Sequence, residues 1–174
     1  MAIQTPITPF HPNEVARETL VSVAFPALMV AVGDLIVAER DLADVSYSQD
    51  PAYSEWMRDA ELAHERLTDA LRAFHSLRLE VPDDRPLMCM AHMIDAMLGH
   101  EEPQGARRLL HHMNLVFFTK LQVPGIGATA FHRNGLLIQA RSLVIELVAL
   151  PLFDGAADNI HEPVVPEEVQ TAAL

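Results

Sequence analysis

Apolar residues dominate the stretch from Leu20 to Ala38, in which Asp34 is the only formal charge. A helix that is apolar on every side is normally buried among other helices. We therefore expect this stretch to form the centre of the fold. Its helix is predicted to run from an N-cap at Asn13 towards Asp44, with a kink or break at Pro26, because proline lacks the N–H that a helix needs there.

Apolar residues then recur at alternating steps of four and three, which predicts a second helix with one face against its neighbours. This helix is predicted to start with Asp50 as N-cap and Pro51 at the first helical position, and to reach about Leu79. Alanines on the inward face would let a neighbouring helix approach closely. The inward positions are Trp56, Ala60, Ala63, Leu67, Ala70, Phe74 and Leu77.

The same periodicity predicts three more helices. The third runs from about Arg85 to His100, and the fourth covers Ala106 to Leu121. The segment Val123 to Gly135 holds three glycines and a proline, so it is predicted to be a loop. The last helix, Leu136 to Leu150, is again nearly all apolar.

These patterns predict an all-α fold, a single-domain antiparallel bundle of about five helices over residues 13–151. The first and last helices are expected to be the most buried. Residues 1–12 are expected to form an extended arm, and residues 152–174, which are acidic and proline-rich, a mobile tail. Burial of the first helix would leave Asp34 in need of a counterion, so we expect a buried ion pair between Asp34 and Arg141.

The net charge of −12 argues against nucleic acid as a partner, because a basic footprint is absent from the chain as a whole. The N-terminus lacks a secretory signal pattern, and the single Cys89 cannot form an internal disulfide, so we expect a cytoplasmic protein. Insertion into a membrane is not expected, because Pro26, Gly33 and Asp34 interrupt the apolar stretch.

Soft metal ligands are concentrated in the third helix. Cys89, Met93, Met97 and His100 share one flank, and thiolate, thioether and imidazole together suit Cu(I). Methionine is also an adaptable filler of cores and of binding surfaces. We therefore favour packing or partner contact for this flank and keep a metal site as the alternative.

Histidines form a second candidate cluster. His92 and His111 lie at comparable heights in the hairpin formed by the third and fourth helices, so His92, His111 and His112 with Asp95 could form a metal or pH-sensing site. Histidines on a solvated surface are the competing interpretation. The candidate metal ligands from both clusters are His92, His111, His112, Cys89 and Met93.

Two further histidines lie on the predicted second helix. Glu61 and His64 have the Glu-x-x-His spacing of di-iron bundles, but the periodicity places them outside the inward face, which favours a surface pair. His75 is predicted on the outer side near the helix C-terminus, where a histidine interacts favourably with the helix dipole.

No convergent catalytic pattern emerges, so we expect a non-enzymatic interaction or regulatory module without a cofactor. The methionine-rich helix and the surplus of apolar surface predict a homo-oligomer, most simply a dimer, or another protein partner. The alternative is a bundle that binds a small molecule or a metal ion through the histidine or Met/Cys cluster.

Overall fold

A computed structural model describes residues 15–45 and 53–153 of the chain. These residues form five α-helices and no strand, which confirms the predicted all-α class. The predicted caps Asn13 and Asp50, the arm and nearly all of the tail lie outside the described residues. The helices are α1 (Leu20–Val45), α2 (Tyr53–His75), α3 (Arg85–Leu98), α4 (Pro103–Lys120) and α5 (Ala128–Val148), with short 3-10 helices at Pro82–Asp84 and Pro151–Phe153.

Helix α1 starts at Leu20, and residues 15–19 are not helical, so the start predicted at Asn13 is wrong. A reciprocal capping arrangement marks the observed start. The Thr19 N–H donates to Ser22 Oγ at 3.0 Å, and the Ser22 N–H donates to Thr19 Oγ1 at 3.1 Å. Two N–H groups that lack helical partners are thereby satisfied. The helix continues through Pro26, so the predicted break there is wrong. Pro26 lies on the exposed side of α1, where its ring displaces no core side chain.

Helix α5 begins at Ala128, eight residues before the predicted start at Leu136. The glycines predict a loop over this whole segment, from Val123 to Gly135. Of the three glycines in this segment, only Gly125 has a positive φ, of 107°, while Gly127 is the N-cap and Gly135 lies inside the helix. The predicted loop is therefore wrong in its second half.

Contacts between helix ends define how the helices run. The Arg17 N–H donates to Thr129 Oγ1, and Arg40 pairs with Glu146 at 3.1 Å, so α1 and α5 lie side by side and point the same way. Helix α2 runs back along α1. Phe25 near the start of α1 makes an edge-to-face contact with Phe74 near the end of α2, with ring centroids 5.7 Å apart.

The prediction that the first and last helices are innermost is not confirmed. Helices α1 and α5 each bury one side and leave an apolar stripe exposed on the other. Helix α3 contacts each of the other four helices. Its core residues are fully buried; they are Leu87, Met90, Ala91, Ile94 and Met97.

Two details at the edges of the core also differ from expectation. Trp56, predicted to face inward, lies at the exposed start of α2, whereas Leu71 joins the buried face of that helix. Phe153 is buried in the core, so packed chain extends past residue 151, where the tail was predicted to begin.

Candidate functional site

The predicted buried ion pair between Asp34 and Arg141 is wrong. Asp34 lies on the exposed side of α1. Arg141 on α5 turns towards α4 instead, where its Nε donates to Asn114 Oδ1 at 2.8 Å and its guanidinium carbon lies 5.4 Å from the ring centroid of Phe117. The prediction failed because it took an all-apolar helix to be buried on every side.

The charges that are buried are those of Arg133 on α5 and Asp84 at the start of α3. Arg133 Nε donates to Asp84 Oδ1 at 3.1 Å, and neither residue has accessible surface. Arg133 Nη2 also donates to Thr19 Oγ1 at 3.3 Å. Because Thr19 caps α1, this network joins the N-terminal ends of three helices.

This network could not be predicted from the sequence, because Arg133 lies in the segment predicted to be a loop and Asp84 in a predicted turn. Arg133 Nη1 and Asp84 Oδ2 have no hydrogen-bond partner within the described part of the chain. A buried charge without its counterion is strongly destabilising, so the pair must form whenever these ends come together. Both charges are sealed from solvent, which gives the network a structural role.

The structure does not gather the predicted metal ligands. Cys89 and Met93 are half-buried and pack against the core, while His111 and His112 are exposed on α4. Among the residues that the structure describes, no group of three or more histidine, cysteine or acidic side chains has the geometry to hold a metal ion.

His92 instead stacks on His75, a contact that the sequence did not predict. The two rings are 4.2 Å apart at their centroids and only 8° from parallel. His75 Nε2 also lies 3.4 Å from Asp95 Oδ2, and the His75 side chain is 20% exposed. His75 therefore does not stand on the outer side of α2; it joins the end of α2 to α3.

Glu61 and His64 lie on the exposed side of α2, and with Glu39 of α1 they line a shallow depression of about 380 Å³. Partial burial raises the pKa of Glu39 above its ordinary value, and the nearby His64 acts in the opposite direction. This depression is a partly desolvated acidic site on the α1/α2 side of the molecule.

An apolar surface open to solvent runs along α1 and α5, and we call it the α1/α5 face. Its six large side chains are between 38% and 82% exposed, although each belongs to a residue type that is usually buried. They recur every seven residues on both helices. They are Val23, Val30 and Val37 on α1, and Phe131, Ile138 and Ile145 on α5.

The two stripes are aligned with each other. Each large residue of α1 is 108 positions before one of α5, as Val30 is before Ile138. The contacts Arg17 to Thr129 and Arg40 to Glu146 set the relative heights of the helices, with offsets of 112 and 106 positions. The first contact lies just before α1 begins and the second joins two long side chains, and an offset of 108 lies between their offsets, so the six side chains form three roughly level pairs across the face.

A pocket of about 570 Å³ continues the face at its N-terminal end. Ala16, Ile126 and Phe131 contribute to its mainly apolar lining, and His132 and Gln139 are its polar residues. Ile126 and Phe131 are both strongly exposed. The apolar surface thus extends from this end pocket along the two parallel helices.

Of the helices that the structure describes, α1 alone is long and apolar enough to cross a membrane by length and composition. In this fold the same helix packs against α2, α3 and α5.

Comparison with known proteins gives no match: no family model, no curated protein and no solved structure is significantly similar to this chain.

Proposed function

We propose that this chain is a non-enzymatic interaction module and that the α1/α5 face is its binding surface for a protein partner. The observation that carries the proposal is the arrangement of six exposed, large apolar side chains in three roughly level pairs. Single exposed apolar residues are ordinary on protein surfaces, but a contiguous apolar patch marks an interaction site.

The spacing of the exposed residues supports a helical partner. A seven-residue apolar repeat is the pattern with which helices pack along one another. Two parallel helices that both carry this repeat offer a long surface rather than an enclosed cavity, which fits a macromolecule better than a small substrate.

The polar groups of the chain support a binding role over catalysis. The most deeply buried charges, Arg133 and Asp84, neutralise each other within the core. The stacked pair of His75 and His92 lies on α2 and α3, away from the apolar face. We place the module in the cytoplasm, an assignment that the lone Cys89 supports.

Photo-crosslinking in cells tests the proposal. A benzophenone amino acid placed at Val30 or Ile138 is expected to give discrete adducts of protein mass, and the Val30 adducts should disappear when Ile138→Glu is added. Matched control positions are Leu62 and Leu79, which are similarly exposed apolar residues outside the face. Equal adducts at control and face positions, or face adducts that survive Ile138→Glu, would contradict the proposal.

A further inference from the structure

Two glycines inside helices bear on what covers the α1/α5 face. Gly33 lies three residues after Val30 on α1, and Gly135 lies three residues before Ile138 on α5. Apart from the adjacent residues and the backbone of the same helical turn, no atom of the described protein lies within 4 Å of the Cβ position at either glycine. Glycine destabilises a helix interior relative to alanine. Nothing within the described chain requires these two glycines, so we attribute them to a close approach from outside.

Small residues alternate with the large ones along the whole face. The level pairs of large residues form ridges, namely Val23 with Phe131, Val30 with Ile138 and Val37 with Ile145. Between the ridges, at the same offset of 108 positions, lie pairs of small or short residues that form grooves. The groove pairs are Ala27, which also lines a depression towards α2, with Gly135, Asp34 with Ser142, and Asp41 with Ala149.

We infer that the partner on this face is a second copy of this chain, packed antiparallel about a two-fold axis level with Val32. This inference rests on the proposed function and names its partner. Rotation about that axis places a residue of one copy opposite a residue of the other copy when their two numbers sum to 64 on α1, or to 280 on α5. Val30 then meets Asp34 of the second copy, and Ile138 meets Ser142.

The fit of the face to itself selects a second copy over an unrelated partner. In the antiparallel arrangement all three ridges of each copy enter grooves of the other. On α1, the ridge residues Val23, Val30 and Val37 lie opposite the groove residues Asp41, Asp34 and Ala27 of the second copy. Such a self-complementary patch is what a two-fold interface requires, and ridges that enter grooves are how helices pack. A parallel arrangement would place each ridge on a ridge.

The size of the face also suits a dimer. From Leu20 to Asp41 it is about 32 Å long at 1.5 Å per residue, and two helices are about 20 Å wide. The projected area is roughly 640 Å², and the relief of the side chains increases the accessible area, towards the ~800 Å² per partner of a standard interface.

Asp34 is the charged residue in the central groove, and the two-fold axis brings the two Asp34 residues to within four positions of each other along the helix direction. Their mutual repulsion opposes association. Asp34→Asn is therefore expected to tighten the dimer severalfold, whereas a face unused in self-association would show no such gain.

Sedimentation equilibrium of the purified full chain from 1 to 100 µM tests the inference. The wild type is expected at twice the chain mass of 19.3 kDa. Val30→Glu with Ile138→Glu should shift it to the monomer, with circular dichroism confirming that the helices remain. Leu62→Glu with Leu79→Glu, which places the same charges outside the face, should leave the dimer intact.

Cross-linking tests the orientation. In a Cys89→Ala background, Ala27→Cys with Val37→Cys should give a covalent dimer with a short bis-maleimide, because 27 faces 37 of the other copy. Val37→Cys alone should not, since the two copies of residue 37 lie ten positions apart, about 15 Å. The reverse result, cross-linking through residue 37 alone, would overturn the antiparallel arrangement.

Failure of the inference is separable from failure of the proposed function. A wild type that stays monomeric at 100 µM overturns the second copy as partner, while adducts between Val30 and other proteins would still support an interaction module. A dimer that survives the double substitution Val30→Glu with Ile138→Glu overturns this interface. If, in addition, the photo-adducts formed at Val30 persist after Ile138→Glu, the proposed function is overturned as well.

Discussion

Arg133 and Asp84 form a hydrogen-bonded ion pair, 3.1 Å between Nε and Oδ1, in which neither residue has accessible surface. Arg133→Met removes one partner and leaves the carboxylate of Asp84 uncompensated in the core. We expect a loss of about 3–5 kcal/mol in the free energy of unfolding, the usual cost of breaking a buried pair. Urea denaturation followed by circular dichroism measures it.

The double variant Arg133→Met with Asp84→Leu is the control for this prediction. With both charges replaced by apolar groups, much of the lost stability should return, because a buried ion pair and an apolar pair of similar volume are often close in stability. A single variant that loses less than about 1 kcal/mol would show that Asp84 finds water or another partner.

Arg141→Leu is expected to be much milder than the Arg133 variant. Arg141 is only half-buried, and its partner Asn114 is neutral, so its removal leaves no buried charge. A loss of about 1 kcal/mol corresponds to one hydrogen bond and some packing on Phe117. Urea denaturation of both variants under the same conditions compares them, and equal losses would contradict the assignment of Arg133 as the buried charge.

Glu39→Gln is expected to stabilise the protein at neutral pH. Burial raises the pKa of Glu39 above its ordinary value of 4.5, so the folded state binds the proton more tightly than the unfolded state. Stability therefore falls as the pH rises from the ordinary to the raised value, and the ionised carboxylate is destabilising above it. The gain should be under about 1 kcal/mol, because solvent screens a half-exposed group.

The pH dependence of that gain provides its own check. Below the ordinary pKa, Glu39 is protonated in both states, and the advantage of Glu39→Gln in urea denaturation should vanish. Glu18→Gln, at an exposed carboxylate near the start of α1, is the matched control. A gain that persists unchanged at low pH would come from packing and not from charge.

Gly33→Ala and Gly135→Ala should affect folding and association in opposite directions. In the Val30→Glu, Ile138→Glu background each should add about 0.5–1 kcal/mol to the free energy of unfolding, since alanine favours the helix and the added methyl meets nothing. With the wild-type face, each should weaken the dimer measured by sedimentation. Gly105→Ala is the contrasting variant, because its Cβ would clash with the His100 ring. If Gly33→Ala and Gly135→Ala stabilise the fold but do not weaken the dimer, the close approach of a second copy to these glycines would be contradicted.

The helix class and the positions of α3 and α4 follow from periodicity alone, because both helices carry one apolar stripe between polar faces. Periodicity could not place the buried charge. Arg133 follows glycines that suggested a loop, and the capping of α1 by Thr19 is only visible once three helix ends meet. The exposed face could not be predicted for a related reason. The sequence pattern around an apolar residue such as Val30 is the same whether its own chain or a partner covers the side chain.

The link between Thr19 and Arg133 also bears on the order of folding. The two residues are 114 positions apart. At about 5–20 residues per second, synthesis of that interval takes roughly 6 to 23 s. During this time α1, the most apolar helix of the described chain, exists without α5, and α2 is the first helix that can cover it. The early hairpin of α1 and α2 is therefore the species that must resist aggregation while the last helix is still being made.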